Sequence, residues 1–280
     1  MPARIAALAA IAIHLCASAA LAASPAAVTP YSSPTPMRVF IVHDIGSPCA
    51  SACTDWIAAE GDIIESTPAE FKRVFKALGD RKLPIFIHSG GGSVNAAMSI
   101  GRLIRARKLD VFVAKSLLSP CQPGSKFCGA KGQHLDGSPG MADGQQAYCA
   151  SACALILAAG TRRYVPFLGN VGVHQIWQFR TFTRVKRLYR ITRRIVRGVP
   201  VEVSRKLISE KTLSSKLLQG EAKDKDYKPI MAFLTEMGID GSILPLMLST
   251  PHTDIRWLTK AELDATHMVT MPPMGANVAP

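Results

Sequence analysis

Past residue 22 the chain has no apolar run long enough to cross a bilayer. After its glycine run Gly90-Gly91-Gly92 there is no Lys-Ser or Lys-Thr, so a phosphate loop is excluded. No histidine stands at ligand spacing beside a cysteine pair, which argues against zinc; neither a metal nor a cofactor is expected. No internal repeat implies duplication, although Cys-Ala-Ser-Ala-Cys occurs at 49–53 and again at 149–153. Acid is also scarce: 20 Asp and Glu stand against 33 Lys and Arg, a net charge of +13. That balance suits anionic surfaces or acidic partners. It is not specific to nucleic acid, and none is expected as a partner.

What is present begins with Arg4, the apolar run Ile5 to Leu15 and the small-residue end Ala20-Leu21-Ala22. This is the layout of a secretory signal over 1–22, with cleavage after Ala22 or Ala23, and it predicts a periplasmic or secreted protein. Residues 23–36, rich in Pro, Ser, Thr and Ala, read as an exposed leader. The six cysteines beyond Cys16 fall in close pairs, Cys49 with Cys53, Cys121 with Cys128 and Cys149 with Cys153. In an exported chain an even count suggests disulfides, and local pairing is the simplest connectivity. The last pair would be tight across one helical turn unless Cys149 lies just outside the helix.

Strands are predicted at 37–43, 61–64, 83–88 and 110–115, with a short helical or looped segment at 49–59. Helices are predicted from Thr67, read as the cap with Pro68 at the first helical position and Glu70 at the third, and over 93–107. Alternation of this kind predicts an α/β fold with a parallel central sheet. Residues 117–147, with Gly, Pro and the Cys121/Cys128 pair, read as a stapled excursion. Residues 150–159 read as a helix carrying Ser151, 163–166 as an edge strand and 170–175 as a strand or turn holding His174. The segment 176–248 reads as mainly helical, a small helix follows from Arg256 to Leu263, and 271–280 is a tail. The domain is thus expected to span 37–270.

A serine hydroxyl needs a base to take its proton, and the carbonyl it attacks needs donors for the charge that develops. Ser151, at the mouth of an apolar helix, would have the Ala152 amide and the positive helix end beside it; a cap is the ordinary use of such a serine. Glycines after the strand 83–88 let the backbone approach a ligand, so Gly91 or Gly92 can supply a second donor. His174 in Val-His-Gln offers the base, although a histidine in an apolar stretch is more often a core residue.

Ser-Gly-Gly-Gly-Ser-Val after an apolar strand, Ala-Ser-Ala with Leu-Ala-Ala-Gly, Val-His-Gln, and Trp-Leu-Thr-Lys-Ala-Glu-Leu near the end resemble the successive motifs of Clp-type serine peptidases. These belong to the ClpP/crotonase superfamily, and the resemblance implies its repeated β-β-α units. It covers 39–113 and 148–175 well and 250–270 thinly. It implies Ser151 as nucleophile, His174 as base, and oxyanion amides on Gly91 or its neighbour Gly92 and on Ala152. The family's acid falls on Ile255 by position, with Asp254 one residue away and Asp224, Asp226 and Asp240 as fallbacks. A peptide or protein substrate is implied, together with an arm after the histidine used for oligomer contacts.

From Arg180 to Arg197 there are eight Lys or Arg and no acid. On a helical wheel Arg180, Arg184, Arg187, Arg190, Arg194 and Arg197 fall on one side, an amphipathic basic helix able to rest on an anionic bilayer. The leading expectation is an exported serine peptidase that can associate with copies of itself. The alternative is a catalytically idle fold serving as an envelope or membrane-surface module through the 180–197 helix.

Overall fold

The computed structural model describes residues 35–45, 55–121, 124–129 and 132–271. The expected signal, most of the leader, the Cys49/Cys53 pair and nearly all of the tail lie outside the described residues.

The first half alternates short strands with helices: β1 (Arg38–Asp44), β2 (Trp56–Glu60), α1 (Thr67–Leu78), β3 (Ile85–His88), α2 (Val94–Arg107) and β4 (Val111–Val113). The excursion contributes β5 (Lys115–Leu118) and β6 (Ser138–Asp143). Then come β7 (Tyr148–Ala150), α3 (Cys153–Ala158), β8 (Arg163–Tyr164) and β9 (Asn170–Val173). Among the described residues the main sheet has seven strands in the order β5-β6-β1-β2-β3-β4-β8. The pairs β6–β1, β2–β3, β3–β4 and β4–β8 are parallel, whereas β1–β2 and β5–β6 are antiparallel. This is the mostly parallel α/β arrangement that alternation predicts.

Continuous apolar runs mark strands covered on both faces. Ile85 and Ile87 of β3 face the helices, packed with Ile57, Phe71, Ile100 and Ile156. Phe86 points the other way into an aromatic layer with Trp56, Phe112 and Tyr164. Full burial of a side chain such as Ile87 contributes about 1.5–3 kcal/mol. Helix α2 begins on Ser93, whose hydroxyl accepts from the Ala96 amide at 3.1 Å.

Three boundaries differ from expectation. The second strand is 56–60, not 61–64, because Trp56 to Ala59 are all buried between β1 and β3. Thr67 lies inside α1 rather than capping it, its hydroxyl accepting from the Ile64 amide at 2.9 Å. The excursion is more than a stapled loop, since β6 pairs with β1 and extends the main sheet.

The large correction concerns 176–248. In place of a helical arm stands a long antiparallel ribbon, β10 (Trp177–Val196) and β11 (Val199–Glu221), followed by α4 (Asp224–Glu236) and α5 (Ile243–Leu248). The 180–197 segment is therefore a strand, not a basic helix. Its residues are β-branched or aromatic at Thr181, Phe182, Thr183, Val185, Tyr189, Ile191, Thr192, Ile195 and Val196. Arg197 and Gly198, with φ 52° and 80°, make the two-residue turn whose twist suits a hairpin. The chain then closes with β12 (Arg256–Trp257), which joins β9 and β7 in a three-stranded sheet, and α6 (Lys260–Ala265).

Alternation sorts the ribbon's charges. Residues directly opposite each other share a face. One face carries Arg180, Arg184, Lys186, Arg190 and Arg194 from β10 and Lys206, Lys211 and Lys216 from β11, with no acid. On the other, Arg187 pairs with Glu210 and Arg205 with Glu202.

Candidate active site

Ser151 occupies the turn between β7 and α3 and holds φ 57°, a left-handed conformation uncommon for a residue with a side chain. Its amide donates to the Gly172 carbonyl at 2.8 Å. Strands β7 and β9 run parallel with Ala150 opposite Gly172, so Ser151 and His174 leave the same end of neighbouring strands. Both side chains line one pocket, with Val94 and Ala152 beside them and Leu155, Ile230, Leu234, Ile243, Met247 and Met268 as an apolar wall. The open space is about 30 Å³, room for roughly one water.

The glycine run reaches the same place. A side chain at Gly91 would bring a Cβ within 2.7 Å of Ser151 Cβ and 2.9 Å of the Ala152 nitrogen. Gly91 and Gly92 have φ of 104° and 131°, values that L side chains rarely adopt. The Gly91 amide donates to Ser89 Oγ at 3.1 Å. The amides of Gly92 and Ala152 have no acceptor among the described residues, which leaves both available to an oxyanion.

His174 is half-buried. Its Nδ1 lies 2.6 Å from the Gln175 carbonyl oxygen. A carbonyl only accepts, so the Nδ1 proton is fixed there and Nε2 keeps its lone pair. Burial pushes its pKa below the ordinary histidine value; the Gln175 hydrogen bond opposes this, and nearby His252 lowers it further. Sequence reasoning missed His252, stacked on Trp177 with ring centroids 4.0 Å apart. It also missed the Gln175 carbonyl, a main-chain atom that leaves no trace in residue identity.

Among the described residues no carboxylate reaches His174. The Asp254 carboxylate accepts from the Ile255 amide at 2.7 Å. Ile255, at the position the resemblance gives to the acid, packs its side chain against Gly172. Of the fallbacks, Asp226 pairs with Arg180 and Asp240 accepts from the Ser242 amide, while Asp224 opens α4.

Cys149 lies on β7 and Cys153 opens α3, so the pair bridges strand to helix across Ser151, with Cα atoms 5.2 Å apart. Cys121 and Cys128 are also joined. His134 Nδ1 comes within 3.7 Å of Cys121 Sγ, a neighbour that spacing alone did not disclose. With both sulfurs in the disulfide, that cluster offers no thiolates for a metal.

His88, at the end of β3, secures the turn from behind: its Nδ1 accepts from the Tyr148 amide at 3.1 Å, and the two rings meet edge to face. Burial, with Lys115 nearby, lowers its pKa to about 4. The unfolded chain takes up a proton as pH falls through the ordinary value of about 6.5, whereas the folded chain does not until about 4. The stabilisation is therefore complete above pH 6.5 and lost between there and 4. After allowance for partial exposure the loss is about 1–2 kcal/mol. Thermal melts at pH 7 and 4.5 should show a shallower decline for His88→Asn, whose Oδ1 stands where Nδ1 does and accepts the same bond without titrating; an equal decline would refute this assignment.

No protein-family profile matches the chain, and no curated protein does. Solved structures do. The chain is similar to the 1510-N membrane-bound stomatin-specific protease, in a mutant form, at 16% identity and a TM-score of 0.40, over 76% of this chain and 75% of that one. It is similar also to a mutant ClpP1 from Listeria monocytogenes, at 13% identity and a TM-score of 0.39, over 74% and 84%. The likeness is one of fold, and the chemistry of the site follows from the residues present. No helix among the described residues is long and apolar enough to cross a membrane.

Proposed function

We propose that the chain is an exported serine hydrolase that cleaves peptide bonds. The observation that supports this is the approach of Gly91 to Ser151 Cβ and the Ala152 nitrogen, too close for any residue with a side chain, which sets the glycine turn directly beside the Ser151 turn. His174, in the same pocket, presents the unprotonated nitrogen a base needs.

Ser151 Oγ attacks the substrate carbonyl carbon while His174 Nε2 takes the hydroxyl proton. The carbonyl oxygen, now anionic, is held by the amides of Gly92 and Ala152. Collapse breaks the C–N bond, His174 delivers its proton to the leaving amine, and an acyl-serine remains. Water then repeats the sequence and frees the carboxylate product. The Gln175 carbonyl keeps His174 in the required tautomer throughout, the task a carboxylate performs in a triad. The apolar wall suits an apolar substrate side chain, admitted by displacement of the adaptable Met247 and Met268. Disulfides and a signal-like start both fit an oxidising compartment.

A fluorophosphonate should form an adduct on the peptide bearing Ser151, with a rate half-maximal below pH 6.5 because burial depresses His174. Ser151→Ala should give no adduct, and His174→Ala should slow labelling by about a thousandfold or more, with melting unchanged. A folded wild-type chain that never labels between about pH 5 and 9 would sink the proposal.

A further inference from the structure

No residue of the ribbon β10–β11 lines the pocket described above, although Trp177 at its base stacks on His252. Beyond its base, where Arg180 pairs with Asp226 and the Ala222 amide meets the Ile176 carbonyl, nearly all its residues are exposed. Twenty residues at about 3.3 Å each carry it roughly 65 Å. An isolated two-stranded ribbon is marginal in water, so something must cover it.

Two independent features describe that cover. On the acid-free face, Lys186 stands directly opposite Lys211 and Arg190 opposite Lys206. Like charges in directly paired positions repel unless an anion lies across them. The far end is different: Ile195 is 70% exposed and Val199 60%, with Val196, Pro200, Val201 and Val203 around them. Pairing places Ile195 with Pro200 on one face and Val196 with Val199 on the other, so the end is apolar on both faces for about 7 Å before Arg194 is reached. Arg197 sits at the turn, where its long stem lets the guanidinium reach back.

We propose that this ribbon docks on an anionic lipid bilayer, its apolar end entering the interface and its cationic face lying among the headgroups. The depth matches that reached by interfacial segments, about 5–10 Å. Mobile anionic headgroups can settle over closely paired cations whatever their spacing. A second copy of the chain would bring the same cations to that face. A nucleic acid would neutralise the charges but leave the apolar end in water.

The full chain should co-sediment with phosphatidylcholine vesicles containing about 30% phosphatidylglycerol, at least tenfold more tightly than with phosphatidylcholine alone, and less well in high salt. Ile195→Asp with Val199→Asp, and separately Arg190→Glu with Lys206→Glu, should each weaken this about tenfold or more while melting and fluorophosphonate labelling stay as in the wild type. If folded wild type ignores both vesicles, or binds them equally, the proposal is overturned. It is overturned also if either folded double variant binds phosphatidylglycerol vesicles as the wild type does. Binding to an oligonucleotide, or self-association seen by sedimentation, without vesicle binding, would overturn it in favour of those partners.

Discussion

Alanine at Gly91 should cut fluorophosphonate labelling of Ser151 by at least about a thousandfold. The added Cβ would meet the Ala150 carbonyl at 2.7 Å, Ser151 Cβ at 2.7 Å and the Ala152 nitrogen at 2.9 Å. These are backbone atoms and the root of the Ser151 side chain, which cannot swing aside as a side-chain tip can. At φ 104° the alanine would also be strained in its own backbone. Relief requires the strand 3 turn to part from the nucleophile turn by several tenths of an ångström. Misplacement of reactants costs up to about a hundredfold as it approaches 1 Å, and under the proposed mechanism loss of an oxyanion donor costs a further hundredfold or more. We therefore expect labelling of Ser151 to fall at least about a thousandfold, and stability to fall by about 2–4 kcal/mol. Gly90→Ala is the matched control. Its Cβ would meet only Asp62 Oδ1, at 3.9 Å, so labelling and melting should stay near wild type. Equal tolerance at both glycines would show that the close approach has no bearing on reactivity.

Breaking the Cys149–Cys153 bridge should disable the site without unfolding the chain. The two sulfurs flank Ser151, which is held at positive φ, and both cysteines are fully buried. Besides the main chain of residues 150–152, the bridge is the covalent tie between β7 and the first turn of α3, so its loss gives Ser151 more freedom to relax toward ordinary backbone angles. Closing so short a loop stabilises by about 2 kcal/mol on chain-entropy grounds, a modest share of a domain's stability. The larger effect is on geometry: Cys149→Ala with Cys153→Ala should slow labelling about ten- to a hundredfold. Cys121→Ala with Cys128→Ala, remote in sequence from Ser151, should leave labelling within about threefold. Burial predicts that reductant acts slowly on the native chain and quickly on one first loosened by mild denaturant. Full labelling in the Cys149/Cys153 double variant would remove the bridge from any account of the site.

Sequence was most informative where pattern and burial agree. The apolar runs at β3 and β4 and the helix opening at Ser93 follow from local chemistry, whereas the helix read over 150–159 begins only at Cys153, with Ser151 in the turn before it. The ribbon shows how a pattern can mislead. Arginines at 180, 184, 187, 190, 194 and 197 recur every three or four residues, the helical period, yet a strand reads the same residues by twos. By that reading 180, 184, 190 and 194 share a face, 187 lies on the other and 197 sits in the turn. Content in Thr, Val, Ile and Phe, with Arg-Gly as a turn, was the better guide.

The site was legible as a set of residues but not as a set of bonds. Ser151, His174, Ala152 and the glycines could be named because their chemistry is in their side chains, or in lacking one. Which glycine amide is unoccupied depends on Ser89, whose hydroxyl takes the Gly91 amide. What steadies His174 depends on where the chain turns after β9. A search for an acid near Trp257 had to fail at Ile255, because that position fills the space over Gly172.

The oxygen beside His174 Nδ1 belongs to the polypeptide itself, and every amino acid at position 175 would carry it. Mutational drift there cannot delete it as a single base change deletes an aspartate. The turn is in turn pinned by the Gln175 amide on the Thr250 carbonyl, again backbone to backbone. Inheritance of the His174 ring's orientation is thus entrusted to the path of the chain rather than to any codon.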